Sequence, residues 1–279
     1  MEEEKNVEIN TIPRLFWDSV ITKHNKIAMR EKHLGIWQST TWEEYGIAAR
    51  NIGLALHSLG LKKGDVVSIA SEGIPEWLFT DMGTIAVGGI SSGVYTTDSS
   101  SQVKYLVNDS KTKFYFAENE EQLDKILEVR DECPTLEKII VYDMEGLHNF
   151  RDNQVISYEE FIKIGQKLND EQSDLWIDLI KSVQPDDIAI LVYTSGTTGP
   201  SKGAMISNKN LMYSVNVGLE IFKPKENEEQ LSFLPLCHIL ERSVSVMFPL
   251  KSGAVVNFAE SIDTVPENIR EVSPTVFIA

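Results

Sequence analysis

Residues Ile188–Met205, IAILVYTSGTTGPSKGAM, place an unbroken apolar run directly before a loop of hydroxyls, glycines and one lysine. The run Ile188-Ala189-Ile190-Leu191-Val192 reads as a strand buried on both faces, as in a parallel sheet. Gly196, Gly199 and Gly203 let successive backbone N–H groups turn into one concavity, and such concavities bind anions. Thr194, Ser195, Thr197 and Thr198 can add hydroxyl donors, and Lys202 adds a compact positive charge. A strand, a glycine loop and a lysine in this order form a phosphate-binding device. It is not a Walker A loop, because Lys202 follows Ser201 and precedes Gly203. It is not a dinucleotide fingerprint either, because Gly196 and Gly199 supply only the last part of G-x-G-x-x-G.

The flanking sequence alternates between strands and helices. Arg14–His24 has helical spacing behind Pro13, a good first-turn residue. Residues 27 to 42 read as a hairpin turning at Leu34-Gly35, and Thr41 and Glu44 spell a capping box for the next helix. Strands follow at Val66–Ala70, around Ile90, at Lys113–Ala117 and at Lys138–Tyr142. They are separated by helices at 75–87, 101–108 and 120–129. This rhythm predicts an α/β fold with parallel sheets flanked by helices on both faces. Residues 143–184 are polar and read as two helices, near Tyr158–Leu168 and Asp170–Ser182. Beyond the glycine loop the pattern gives a helix from Ser207, a strand at Gln230–Leu234 and a helix at Ile239–Phe248. A strand at Ala254–Phe258, a helix at Val265–Arg270 and a buried strand at Thr275–Ala279 complete it. Two units are expected: 1–184, with the hairpin and the helical insertion, and 185–279, which opens on the phosphate loop and is truncated.

The chain has 279 residues, 42% hydrophobic and 24% charged, enough for a large core. Its net charge of −16 argues against a nucleic-acid surface and against docking on an anionic membrane. A phosphate ligand would need a locally positive pocket. No apolar run reaches membrane-spanning length, and the acidic start Met1–Asn6 does not resemble a secretory signal. Cys133 and Cys237 stand far apart without metal-ligand spacing, so both read as buried thiols of a reduced, cytosolic protein. His24, His33, His57 and His148 read as surface or turn residues. Trp17, Trp37, Trp42 and Trp77 read as packing residues.

YTSGTTGPSKGAM closely resembles the signature loop of the adenylate-forming superfamily, Thr/Ser-Ser-Gly-Thr-Thr-Gly-x-Pro-Lys-Gly. Here Pro200-Ser201 stands where x-Pro is usual. LPLCHILERS, Leu234–Ser243, resembles the Leu-Pro-Leu-x-His-x-x-Glu-Arg segment of long-chain fatty acyl-CoA synthetases. GVYTTDSS, Gly93–Ser100, and SEGIPEW, Ser71–Trp77, are similar to that group too. The resemblance runs from about residue 12 to the end. It implies the large N-terminal domain of the acyl-CoA synthetase-like fold.

The resemblance also implies a two-step ligase reaction. A fatty acid carboxylate attacks the α-phosphate of ATP, and the thiol of CoA then displaces AMP. Thr194, Ser195, Gly196, Thr197, Thr198, Gly199, Lys202 and Gly203 would bind the β- and γ-phosphates, with Mg2+ bridging them. Lys202 and His238 would be the catalytic pair, and His238 would lie beside the carboxylate and acyl-adenylate. Glu241 and Arg242 would shape the mouth of the acyl tunnel; read without the resemblance they are a surface ion pair. The family's aromatic-Gly-x-Thr-Glu segment, ribose-binding aspartate, hinge and C-terminal lysine have no match here. The chain is therefore expected to be an inactive amino-terminal part of a longer ligase. A non-catalytic nucleotide- or acyl-binding relative, or a ligase for another carboxylate, are the alternatives. A fatty acid substrate would suit peripheral membrane association, but nothing in the sequence encodes it.

Overall fold

The computed structural model describes residues 9–194, 200–224 and 227–278. Helix α1 (Ile12–Lys23) starts with Pro13 in its first turn. Strands β1 (Ile27–His33) and β2 (Ile36–Thr41) form the expected hairpin. Its turn places Leu34 at φ 48° and Gly35 at φ 78°; glycine tolerates this left-handed conformation far better than a residue with a side chain. Helix α2 (Trp42–Ser58) opens on the capping box: the Glu44 N–H donates to Thr41 Oγ1 at 3.2 Å, and the Thr41 N–H donates to Glu44 Oε2 at 2.7 Å.

Then follow β3 (Val66–Ala70), α3 (Pro75–Ala86), β4 (Ile90–Val94), α4 (Ser100–Ser110), β5 (Thr112–Ala117), α5 (Glu120–Leu127) and β6 (Lys138–Val141). Next come β7 (Val155–Ser157), α6 (Tyr158–Glu171), α7 (Leu175–Ser182), β8 (Ile188–Thr194) and β9 (Lys202–Ser207). The last elements are α8 (Asn208–Phe222), β10 (Glu229–Ser232), α9 (Ile239–Arg242), α10 (Phe248–Ser252), β11 (Val255–Phe258) and α11 (Val265–Val272).

Two sheets result. The larger has seven strands in the order β7-β6-β5-β3-β4-β8-β9, parallel except for the β8–β9 pair. The smaller has the order β10-β11-β1-β2. Each sheet draws strands from both sides of residue 184, so the division at 184/185 is one of sequence and not of sheets. Strand β5 shows how both faces are covered. Phe114 and Phe116 enter the core shared with α2, α3 and α6, while Tyr115 and Ala117 enter the core under α4 and α5. Successive strand residues point to opposite faces, so a strand covered on both sides is apolar throughout. Helix α3 is buried along its length except at Glu76 and touches strands of both sheets, β1 as well as β3 and β4.

Several expectations are corrected. Residues 143–184 hold a strand, β7, before the two helices, and α7 starts at Leu175. The helix expected from Ser207 is preceded by β9, so the glycine loop joins two antiparallel strands instead of a strand and a helix. The helix at 239–248 is broken by a π-helical turn at Ser243–Met247. Residues 275–278 are not a buried strand: Val276 makes one parallel bridge to Gln230, and Thr275 and Phe277 are exposed. Ala279 lies outside the described residues.

The carboxyl end of β4 meets the segment after β10 very closely. A Cβ at Gly93 would lie 2.5 Å from Cys237 Cβ and 2.6 Å from its Cα. No rotamer change relieves a clash with backbone, so Gly93→Ala should destabilise the fold by about 1–3 kcal/mol, the usual range for overpacking. Urea unfolding of parent and variant measures this, and equal midpoints would contradict it.

Candidate functional site

An open cleft of about 670 Å³ lies at the carboxyl ends of β4 and β8. Crevices outside the carboxyl ends of strands are where open α/β sheets bind ligands. Gly93 and Tyr95 form one wall, Val192–Thr194 the floor, α4 a second wall, and Pro200-Ser201 with His238-Ile239 the rim. The structure thus brings together two segments that the sequence singled out separately. Thr194 pairs with Lys202 across the β8–β9 hairpin, and Tyr193 pairs with Gly203. Lys202 is exposed and follows Ser201 at the rim. Ser195, Gly196, Thr197, Thr198 and Gly199 lie outside the described residues.

His238 caps the N-terminus of α9 and is exposed to the cleft. Its Nδ1 accepts the Leu240 N–H at 3.3 Å. In the neutral ring the proton then sits on Nε2, which is left as the donor nitrogen. The neighbouring Cys237 is buried, and burial pushes its thiol up to about 12. A thiol held protonated is no nucleophile, which agrees with its reading as packing.

Glu241 and Arg242 are not a surface ion pair. Both are buried, and each has partners other than its neighbour. Arg242 Nη2 bonds Asp81 Oδ1 and its Nε donates to Asp81 Oδ2 at 3.4 Å, while the guanidinium lies 5.0 Å from the Trp77 ring centroid. Both side chains of this ion pair are fully buried. Glu241 Oε1 accepts the Ser232 and Ser245 hydroxyls, each at 2.6 Å. Burial holds the Glu241 carboxyl above its ordinary range. Neither residue lines the cleft; together they fix α9, and hence His238, against α3 and β10.

Sequence reasoning missed the hydroxyls on the α4 side. Tyr105 OH donates to the Ser201 carbonyl at 2.8 Å, and Tyr193 OH donates to Asp109 Oδ2 at 2.7 Å. Their partners lie about ninety positions away in sequence, so no local pattern announces them. Asp98 also lines the cleft, with its carboxyl raised by burial. Among the described residues no three His, Cys, Asp or Glu side chains converge as a metal site. No helix there is long and apolar enough to cross a membrane.

The arrangement is that of an α/β domain whose binding cleft opens at its strand ends. The chain belongs to the AMP-binding enzyme family, whose model matches residues 16–279. It is 31% identical over 272 residues to the long-chain-fatty-acid–CoA ligase ACSBG1 of Rattus norvegicus, covering 95% of this chain and 37% of that protein. It is 32% identical over 273 residues to the long-chain-fatty-acid–CoA ligase ACSBG2 of Homo sapiens, covering 96% and 40%. The chain therefore spans about two fifths of these curated relatives. Among solved structures it is similar to the anthranilate CoA ligase AuaEII in complex with anthranoyl-AMP, with TM-score 0.80, 20% identity, and coverage of 99% of this chain and 51% of that one. The N-terminal domain of FACL13 from Mycobacterium tuberculosis aligns with TM-score 0.78 and 18% identity, covering 97% and 63%. These neighbours share the fold of this chain over nearly its whole length.

Removing one partner of a fully buried pair leaves an uncompensated charge. Asp81→Ala should cost about 3–5 kcal/mol of unfolding free energy, and the double change Asp81→Leu with Arg242→Met much less. Chemical denaturation decides between this and a merely additive pair. Glu241 gives a pH signature. A carboxyl raised in the folded state stabilises fully below its unfolded value and loses that contribution as pH rises through the folded value. The parent should therefore lose stability relative to Glu241→Gln as pH rises above about 4.3, the ordinary glutamate value. Parallel stability–pH curves for the two proteins would rule this out.

Proposed function

We propose that the polypeptide carrying this chain is a long-chain-fatty-acid–CoA ligase. The observation that carries the reading is the meeting of Thr194, Pro200 and Ser201, on the two stems of the hairpin, with His238 on one cleft, in a member of the AMP-binding family. The names of the curated relatives support the choice of a long-chain fatty acid.

A fatty acid carboxylate oxygen bonds to the α-phosphorus of ATP, and the bond to pyrophosphate breaks. The sulfur of CoA then bonds to the acyl carbon, AMP leaves with its oxygen, and the thiol proton is lost. The first step brings two anions together, so catalysis rests on charge neutralisation and positioning. Lys202 offsets charge on the departing pyrophosphate, and Thr194 and Gly203 flank it on the hairpin. His238 presents Nε2–H to the carboxylate. Glu241 and Arg242 contribute by holding α9. No side chain acts as a covalent nucleophile. Mg2+ is expected to accompany the phosphates, where it would neutralise their charge.

The 279-residue chain alone is proposed to be inactive, since the curated relatives are more than twice as long. Pyrophosphate release from ATP and palmitate by this chain should be absent. In the longer polypeptide, Lys202→Ala should lower fatty-acid-dependent pyrophosphate exchange by about 10²–10³-fold, the effect of losing one preorganised charge-stabilising donor. An unchanged rate would sink the assignment. Competition of palmitate with octanoate, acetate and amino acids separates a long-chain ligase from one acting on another carboxylate.

A further inference from the structure

Helix α4 touches both stems of the β8–β9 hairpin. Tyr105 and Asp109 lie four residues apart, on one face of that helix and a turn from each other. Tyr105 OH holds the Ser201 carbonyl on the stem leading into β9. Asp109 holds the Tyr193 hydroxyl on the stem leaving β8. The Tyr193 ring also lies against Gly203, its pairing partner: a Cβ at Gly203 would sit 3.3 Å from Tyr193 Cζ.

The helix that makes these contacts is itself well anchored. Val103, Leu106 and Val107 are buried in the core under it. Ser99 and Gln102 form a capping box at its start. The Asn108 amide donates to the Glu132 carbonyl at 3.1 Å and Lys104 pairs with Glu132 at 2.9 Å.

The β9 side of the hairpin has no comparable support of its own. β9 is the edge strand of the seven-stranded sheet, and Lys202, Ala204 and Met205 are exposed. Ser201 stands where the motif this loop resembles carries proline. Proline fixes φ near −65°, and serine does not. The acceptor of Tyr105 is the backbone carbonyl of Ser201, so the bond restrains the chain whatever side chain stands there.

We propose that Tyr105, with the Tyr193–Asp109 pair, is a positioning device that sets Lys202 next to the cleft rim at Ser201, and that Tyr105 supplies at Ser201 the restraint a proline would give. Its catalytic consequence rests on the ligase reading above, whereas its structural half does not. A displacement of about an ångström far from the chemistry can cost two orders of magnitude in rate.

The test uses the longer polypeptide with Tyr105→Phe, which keeps the ring and removes one oxygen. Amide hydrogen exchange in residues 200–207 should quicken. The kcat of fatty-acid-dependent pyrophosphate exchange should fall by about 10-fold to 100-fold, with the KM for fatty acid and the thermal midpoint unchanged. Adding Ser201→Pro should restore most of the lost kcat. Tyr193→Phe, which breaks the other contact, should change exchange and kcat in the same direction, and it serves if Tyr105→Phe fails to fold. Unchanged exchange at 200–207 in the folded variants overturns the proposal, whatever the activity. Quickened exchange with kcat intact overturns its catalytic half, and a loss that Ser201→Pro does not restore overturns the substitution for proline. If the parent shows no adenylating activity, the ligase reading falls while the exchange result still decides the clamp.

Discussion

A guanidinium and a carboxylate with no exposed surface, Arg242 and Asp81, tie the second half of the chain to the first. Burying two charges is expensive, and their attraction offsets the cost only when geometry and further contacts are good. Here Asp81 accepts through both oxygens, and the Trp77 ring faces the cation. Asp81 and Trp77 belong to α3, the helix between the sheets. A charge so placed has one acceptable partner and one acceptable depth. The pair therefore specifies where α9 docks more than it adds net stability. Because His238 is the cap of α9, its place on the cleft follows from that docking.

The same constraint orders the surroundings. With α9 fixed, Cys237 must lie against the end of β4, and only a residue without Cβ at position 93 leaves room. Glu241 is then carried under the sheet, where Ser232 of β10 and Ser245 of the π-helical turn satisfy its carboxyl. LPLCHILERS thus acts as one unit: histidine in the cleft, glutamate and arginine as its footing.

Much of this fold was legible because its strands are buried on both faces. Val66–Ala70, Lys138–Val141 and Ile188–Val192 are too apolar and too short to be anything else. The strands that escaped lie at the edges. β7 has three half-buried residues, and β9 reads Lys-Gly-Ala-Met-Ile-Ser with its outer face open; neither carries a dense apolar run. Candidate residues were legible where one short segment carries them, as at Thr194 and His238, which the structure places on one cleft. It was not legible where contacts span the chain, as from Tyr105 to Ser201 or from Arg242 to Asp81, 161 positions away. A signal for the latter did exist. Asp81 stands in Trp-Leu-Phe-Thr-Asp-Met-Gly-Thr-Ile-Ala, and a charge in the middle of so apolar a run requires a buried partner. Glu241 and Arg242 could then have been read as core residues instead of a surface pair.

The two rims of the cleft are held by forces of different size. His238 rests on a fully buried ion pair, whose disruption costs about 3–5 kcal/mol, and on backbone packed against Gly93. Lys202 rests on an edge strand paired on one side only, to β8, and on two hydroxyl contacts, and a typical hydrogen bond contributes only about 0.5–1.5 kcal/mol. One of those contacts is half-buried and the other exposed, so water competes for them. Local openings draw on the least stabilised segments first, so the lysine rim gives way before the histidine rim. This asymmetry suits a site that must hold one reactant still while releasing another. On the reading proposed above, the imidazole side would face the acyl group, which is held from the first step until its transfer to CoA, and the hairpin side the pyrophosphate, which leaves after the first. An edge strand open on its outer side and steadied by two phenols can yield to that departure without disturbing the buried arginine beneath His238.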